Sequence, residues 1–359
     1  MTFDVRTWAP RSHDRFPARR AVPISLLVLS GVFAGSWPSR PKNAIPVAVR
    51  QVTDTNGQSY YVNAHPFLEE PLDQLVRQIP ELKTLRPAPD QLPLAMILRK
   101  TGGRVDEFFA NMVDLIAREE ITQERQISGN LPSGMPGGVS LAQEKMRDDY
   151  LILRRGEGGQ TRISEFRLDA QGNRMDDVGP DRGFFFTSGF ALSCVHFSTV
   201  FQWDSRFLYL GDQKIEGRDT YVVAFAQLPG RARNTIMLKG PSGITVQMLT
   251  QGITWVDKVN IQIVQMRMDL LARRPEIGLD KQTTKVRFGE KRFPDVAVPL
   301  WLPRDVNVYI KLTDVSVIPN LGNSGKAATL GISGEAFRNV HHYTNYRRYR
   351  VSSKMVTPQ

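Results

Sequence analysis

The sequence predicts an α+β protein: a large curved antiparallel sheet wrapping one apolar helix, with a short-helix N-terminal extension packed against it. Three observations lead there. Val105, Phe108, Phe109, Met112 and Ile116 recur at helical spacing, with Val113 and Leu115 widening the stripe. Beyond residue 145 the hydrophobic period changes from 3.6 to 2 and no alternating helices follow, which disfavours a Rossmann-type or barrel-type α/β fold. Finally, Val259, Ile261 and Ile263 are apolar at odd positions whereas Val264, Met266 and Met268 continue at even ones. A β-bulge produces that change of phase, and it bends a sheet.

Taken in order, Ile45 to Val62 reads as a strand and a turn. Leu72, Leu75, Val76 and Ile79 then predict a short amphipathic helix between Pro71 and Pro80. Asp90 is placed to cap a second short helix containing Leu94, Ile97 and Leu98, ended by Gly102-Gly103. The apolar helix is expected to begin near Val105, with Asp106 and Glu107 at the positive end of its dipole, and to fade through Arg118 to Gln126. Ser128 to Ser140, with four glycines and two prolines, reads as a loop. Strands are expected over Met146–Arg155 and Thr161–Leu168, joined across Gly156-Glu157-Gly158-Gly159, with a second turn at Ala170 to Asn173. Phe184 to Cys194 is ambiguous and partly helical. Arg206–Leu210 and Thr220–Gln227 flank a turn at Glu216-Gly217-Arg218. Tyr221, Val223 and Phe225 share one face of the second of these strands, and Val222, Ala224 and Ala226 share the other, so both faces should be covered. Further strands are predicted over Thr245–Trp255, Asn260–Leu271, Gln282–Phe288, Leu300–Lys311 and Ala336–Val351. In the fourth of these Val306, Val308, Ile310 and Leu312 alternate with wetter positions.

The chain has 359 residues, 41% hydrophobic and 23% charged, which is the composition of a folded protein of one large domain or two ordinary ones. Its formal charge is +11, but residues 1–44 hold seven basic and two acidic residues, so +5 of that total lies there. Arg19-Arg20 precede the uncharged run Ala21 to Ser36, which ends in small residues, the pattern of a secretory signal. The run is short and contains Pro23 and Gly31, so a cleaved signal fits better than an uncleaved inner-membrane anchor. The expected location is therefore exported, periplasmic or outer-envelope. The resulting division is 1–44 as targeting segment, 45–103 as Pro-rich extension and 104–359 as the β-rich domain.

The chemistry expected is sparse. One cysteine and five histidines rule out a disulfide framework and leave little for a metal centre. There is no GxxxxGK[ST], GxGxxG, HExxH, GxSxG or CxxC, so no cofactor is predicted and every strong positive signal for an enzyme is missing. Cys194 and His196, two apart, would share a strand face as a thiol–imidazole pair, yet no orienting partner is evident and a buried structural thiol is preferred. Ala191-Leu192-Ser193-Cys194 resembles an acylation box but lies mid-chain. His341 and His342 are adjacent, hence on opposite strand faces and poorly placed to share an ion. Around them aromatics interleave with bases up to Arg347, Arg348 and Arg350, a surface suited to anionic headgroups or a partner protein; nucleic acid is not expected for an exported chain.

The segments Arg206 to Gly211, Tyr221 to Gln227, Gln251 to Asp257 and Phe337 to Tyr343 resemble a group of exported bacterial proteins with no assigned activity. More broadly, an apolar helix, a strand meander and a G-x-x-W-V-D strand followed by a long strand resemble the outer-membrane lipoprotein carrier superfamily. That resemblance implies an unclosed β-barrel whose helices plug an apolar cavity accepting acyl chains, spanning roughly Val105 to Val351. Length and the Pro-rich extension set this chain apart.

The leading functional expectation is a non-enzymatic protein binding a lipid, acyl chain or other hydrophobic ligand, with lipid or acylated protein as partner. Candidate lining residues are Phe109, Met112, Ile116, Phe225 and Trp255, which are large and carry few polar atoms. The alternatives are an envelope protein–protein interaction module with a self-filled core and, more distantly, a hydrolase.

Overall fold

The computed structural model describes residues 61, 64–128, 139–157, 160–172, 189–239, 245–312 and 335–349. The targeting segment 1–44, most of 45–62, most of the Gly-rich loop and Arg350 lie outside them. No helix among the described residues is long and apolar enough to cross a membrane.

Among the described residues two α-helices, α1 (Leu72–Gln78) and α2 (Leu94–Asn111), precede most of the sheet. Strands β1 (Arg86–Pro87), β2 (Leu115–Ser128), β3 (Val139–Glu157), β4 (Gln160–Leu168), β5 (Ser205–Ile215), β6 (Arg218–Gln227), β7 (Ile236–Lys239) and β8 (Thr245–Met248) are followed by β9 (Thr250–Asp257), β10 (Ile263–Leu270), β11 (Leu279–Lys291), β12 (Leu300–Leu312) and β13 (Glu335–Arg348). Eleven of them form one antiparallel sheet in the order β1-β5-β6-β9-β10-β11-β12-β13-β2-β3-β4, with β7 and β8 apart as a pair. Strands β1 and β4 end the sheet without pairing with each other, so it is unclosed. Helix α2 touches both β5 and β12, five places apart in the strand order, which requires the sheet to curve around it.

Helix α2 differs from the expectation at both ends. It starts at Leu94 and runs through Gly102-Gly103, so the boundary drawn between 103 and 104 falls inside it. Ile97, Thr101, Val105, Phe108 and Phe109 make its buried face. Gly102 is an approach point: a Cβ there would stand 2.5 Å from Gln202 Nε2 and 3.0 Å from the Phe197 carbonyl, whereas Gly103 meets nothing within 4 Å. Asp90 does not cap the helix; its carboxylate accepts from the Leu92 N–H at 2.9 Å, and Pro93 holds the N-cap position. At Met112 the backbone turns extended, and Leu115 to Ser128, expected as fading helix, is strand β2. Leu115, Ala117, Glu119, Ile121 and Gln123 are all buried, an alternation of period 2 that pairing with β3 and β13 exploits.

The hairpin β5–β6 turns through Glu216 (φ 46°) and Gly217 (φ 82°), the two left-handed residues of a tight hairpin turn. Asp169 to Gly172 form the expected second turn, with Gly172 at φ 80° and its N–H donating to Asp169 O. The expected bulge is present as a register shift between Ile263 and Gln265. Strand β10 is nonetheless eight residues long, because Asp257 Oδ1 accepts from the Val259 and Asn260 N–H groups and holds that stretch in a turn. The expected strand Thr245–Trp255 is likewise divided, into β8 and β9. In β12, Val306, Val308, Ile310 and Leu312 are buried as predicted.

Both faces of β6 are covered, by different layers. Leu75, Ile79 and Leu82 of the extension are fully buried. On that side Trp255 donates through Nε1 to Gln213 Oε1 at 2.8 Å, and Gln213 Nε2 donates to Glu81 O at 2.7 Å and Thr84 Oγ1 at 2.9 Å. A buried indole N–H requires such a partner. The opposite face carries Phe225 and is covered by the 3-10 helix Ala191–Phe197, on which α2 packs.

Candidate functional site

Register separates the five predicted lining residues. Val222 lies across from Trp255, and Phe225 across from Gly252, so Trp255 and Phe225 point to opposite faces of the sheet. Phe109 and Met112, at the end of α2, share one continuous core with both. Ile116, one residue out of phase with Leu115 in β2, belongs instead to a separate cluster with Leu151 and Leu153. All five are at most 7% exposed, so each is enclosed by the protein's own atoms.

The cover of the curved face is built from two pieces, the 3-10 helix Ala191–Phe197 and the eighteen-residue α2. In the 3-10 helix, Phe197 meets Phe225 and Phe207 edge-on at 5.8 and 5.2 Å, and His196 stacks on Phe225 at 5.0 Å. Asp106 of α2 ties the pieces together, accepting from Ser198 Oγ at 2.7 Å and from Thr199 Oγ1. Gln202 Nε2 donates to Leu98 O and Phe197 O at 2.9 and 2.8 Å. Apolar ring contact supplies most of the adhesion and a few polar ties set the orientation.

Cys194 and His196 sit in this cover and not on a strand, where two-residue spacing would align them. On a 3-10 helix residues two apart are turned about 240° from one another. Burial pushes the Cys194 thiol up to about 12, and burial, only partly offset by Asp204, brings His196 down to about 4. A neutral thiol and a poorly basic imidazole do not make a nucleophile pair. The acylation-box resemblance likewise falls on a buried cysteine.

Periodicity did not reveal a polar cluster under the far end of the sheet. Arg167 of β4 pairs with Glu119 of β2 through both Nε and Nη2, the latter at 2.7 Å. His341 Nδ1 and Tyr343 OH, both from β13, lie 2.7 and 2.6 Å from the same Glu119 Oε1. Burial raises the Glu119 carboxyl, but Arg167 and His341 overcome that and hold it at about 2. Next to it Glu165 accepts from Tyr150 OH and from the Ala191 and Leu192 N–H groups at 3.0 and 3.1 Å, fastening the 3-10 cover to β4. Burial raises the Glu165 pKa despite these donors. The cluster is a clamp of mutually satisfied groups. Its one signal in the sequence was Glu119 on the Leu115–Ala117–Ile121 alternation.

The basic last strand is partly neutralised. Arg348 Nη1 pairs with Asp295 at 2.6 Å, Arg338 with Glu124 at 3.4 Å, and His342 Nδ1 lies 2.7 Å from Asp305, while Arg347 is exposed. His341 is buried and His342 exposed, as adjacent strand residues must be. No group of three or more His, Cys, Asp or Glu able to hold a metal ion occurs among the described residues.

No family model and no curated protein matches the chain. It is similar to three solved structures at low identity. A DUF1329 family protein from Desulfovibrio piger is 14% identical, covering 73% of this chain and 95% of that one, with TM-score 0.31. A domain described as an outer membrane lipoprotein-sorting protein, from Vibrio parahaemolyticus, is 12% identical over 72% and 95%, with TM-score 0.28. A LolA superfamily protein from Nitrosomonas europaea is 9% identical over 73% and 97%, with TM-score 0.26. The chain thus bears a distant resemblance to these proteins, and its architecture stands on its own strand order: an unclosed antiparallel sheet curved around α2.

Proposed function

We propose that the protein is an exported, non-enzymatic carrier of a hydrophobic ligand such as an acyl chain, and that its structure is the closed form. One observation carries the reading: the apolar curved face is covered by one helix and a seven-residue 3-10 segment, joined to each other through Asp106 and Gln202. Lifting α2 with this segment would expose Phe207, Val223 and Phe225 together with Val306, Val308 and Ile310 on the same side of the sheet. Such a surface costs free energy in water and is offset when a ligand chain replaces the protein's own side chains. The leader pattern of residues 1–44 and the sequence resemblance support export and lipid as the ligand class.

Organic extraction of the purified protein followed by lipid mass spectrometry tests this. Stoichiometric acyl lipid is expected in the extract. No lipid there, together with no binding of a fluorescent fatty acid to the extracted protein, refutes the carrier reading. A second reading, an envelope interaction module with a self-filled core, is favoured by the near-complete burial of Phe109, Met112 and Phe225. Pull-down of a defined envelope protein by lipid-free protein would support it.

A further inference from the structure

The tip of the β5–β6 hairpin crosses the ends of β9 and β10, and Glu216 there reaches arginines on β11 and β12. Arg304 forks onto the Glu216 carboxylate at 2.7 and 3.3 Å, and Arg287 Nη1 lies 3.5 Å from the same group. A third guanidinium, Arg218, lies 5.3 Å over the Trp301 ring and also pairs with Asp257 at 2.8 Å. Between these groups is a cleft of about 240 Å³, walled by Trp301 and Phe288. A second carboxylate in its wall, Glu290, pairs outward with Arg292 at 2.7 Å.

Two features set this cleft apart from a surface ion-pair cluster. Its backbone is chosen against preference: Glu216 stands at φ 46°, where glycine, asparagine or aspartate is favoured in a tight hairpin turn. Holding a longer side chain in that conformation places a carboxylate between the Arg304 fork and Arg287 Nη1. Three arginines line the cleft against two carboxylates, Glu216 and Glu290, and although Arg304 Nε also pairs with Asp305 at 2.7 Å and Arg218 with Asp257, each guanidinium offers five N–H donors. A phosphate, with three oxygens able to accept and greater charge, matches three converging guanidinium groups better than a single carboxylate does. The volume lies below the usual range of about 300–1,000 Å³ for organic-ligand pockets, which suits a phosphate with a small substituent against Trp301.

We propose that this cleft is a phosphate-binding site in which Glu216 occupies the place of the ligand's phosphate until the ligand displaces it. The site lies on strand ends at the hairpin tip; its walls Phe288 and Trp301 belong to the apolar core, but phosphate binding there does not need α2 to lift, so either reading can fail without the other. Phosphate here has two possible sources, a lipid headgroup or a free phosphomonoester.

Calorimetry of the full chain with inorganic phosphate and phenyl phosphate, and flotation with phosphatidylcholine vesicles with and without phosphatidic acid, tests the proposal. Saturable phosphate or phenyl phosphate binding is expected. Arg304→Ala should weaken it by roughly tenfold, the loss of about one charge-assisted contact, while Glu216→Gln should strengthen it by removing the internal competitor. The Glu216→Gln gain cannot come from misfolding, which guards against an Arg304 variant that merely unfolds. Phenyl phosphate binding without flotation assigns the free phosphomonoester. Flotation only with phosphatidic acid, abolished by Arg304→Ala, assigns the headgroup. Absence of all binding, or binding that both variants leave unchanged, overturns the proposal.

Discussion

Asp106 on α2 accepts a hydrogen bond from Ser198 Oγ at 2.7 Å, and with its other oxygen it holds Thr199 Oγ1. The two partners are 92 and 93 residues away in the sequence, yet this carboxylate sets how the only long helix among the described residues meets the segment lying on Phe225. Its neighbour in the same seam is Gly102, whose missing side chain lets the helix backbone approach Phe197 and Gln202.

Adjacent glycines should therefore respond oppositely to alanine. Gly102→Ala forces a methyl against Gln202 Nε2 and the Phe197 carbonyl and should cost about 1–3 kcal/mol, the usual range for overpacking. Gly103→Ala meets open space and should stabilise by about 0.5–1 kcal/mol through the gain in helix propensity. Thermal melts of the two variants check this, with Tm falling in the first and rising in the second.

The Glu119–Arg167 pair is essentially inaccessible to solvent. Glu119→Gln strands the Arg167 charge in the interior and should cost about 3–5 kcal/mol. Combining it with Arg167→Met removes the stranded charge, so the double variant should be more stable than Glu119→Gln alone. Urea unfolding midpoints around the double-mutant cycle measure that coupling.

His196 sets a pH window. Its folded pKa of about 4 lies below the ordinary value of 6.5, so the folded state prefers the neutral ring. Its contribution to stability is complete above 6.5 and is lost as pH falls from 6.5 towards 4, a difference of about 3 kcal/mol. His196→Phe keeps a ring on Phe225 and removes the titration. Between pH 7 and pH 4.5 the urea midpoint of the wild type should fall further than that of His196→Phe; equal falls would place the acid sensitivity elsewhere.

The architecture was legible where one residue's neighbours decide its state. Val306, Val308, Ile310 and Leu312 alternate because one strand face is buried; Glu216-Gly217 marks a turn because few residues accept left-handed backbone; the change of phase at Ile263–Val264 is a bulge. Helix α2 was less legible because Gly102-Gly103 resembles a stop signal, and only the Phe197 segment explains why a glycine is needed inside a helix. Ile116 has the spacing of the α2 stripe but lies past the break at Met112, and helical and strand periods coincide over so short a run. That Phe225 and Trp255 face opposite ways follows from the register of β6 against β9, information that no single strand carries. The Glu119 clamp joins residues 48 and more than 200 positions apart and leaves only a charged residue in an apolar alternation.

Under the carrier proposal, a hydrophobic ligand enters by separating α2 and its 3-10 partner from the curved sheet. Asp106→Cys with Ser198→Cys replaces the hydrogen bond by a reducible lock, and the buried Cys194 thiol, held at about 12, does not compete. Binding of a fluorescent fatty acid to the oxidised and the dithiothreitol-reduced forms measures the claim directly. Oxidation should abolish binding, and reduction should restore it to the wild-type level. Equal binding by the locked and reduced forms would contradict the proposal.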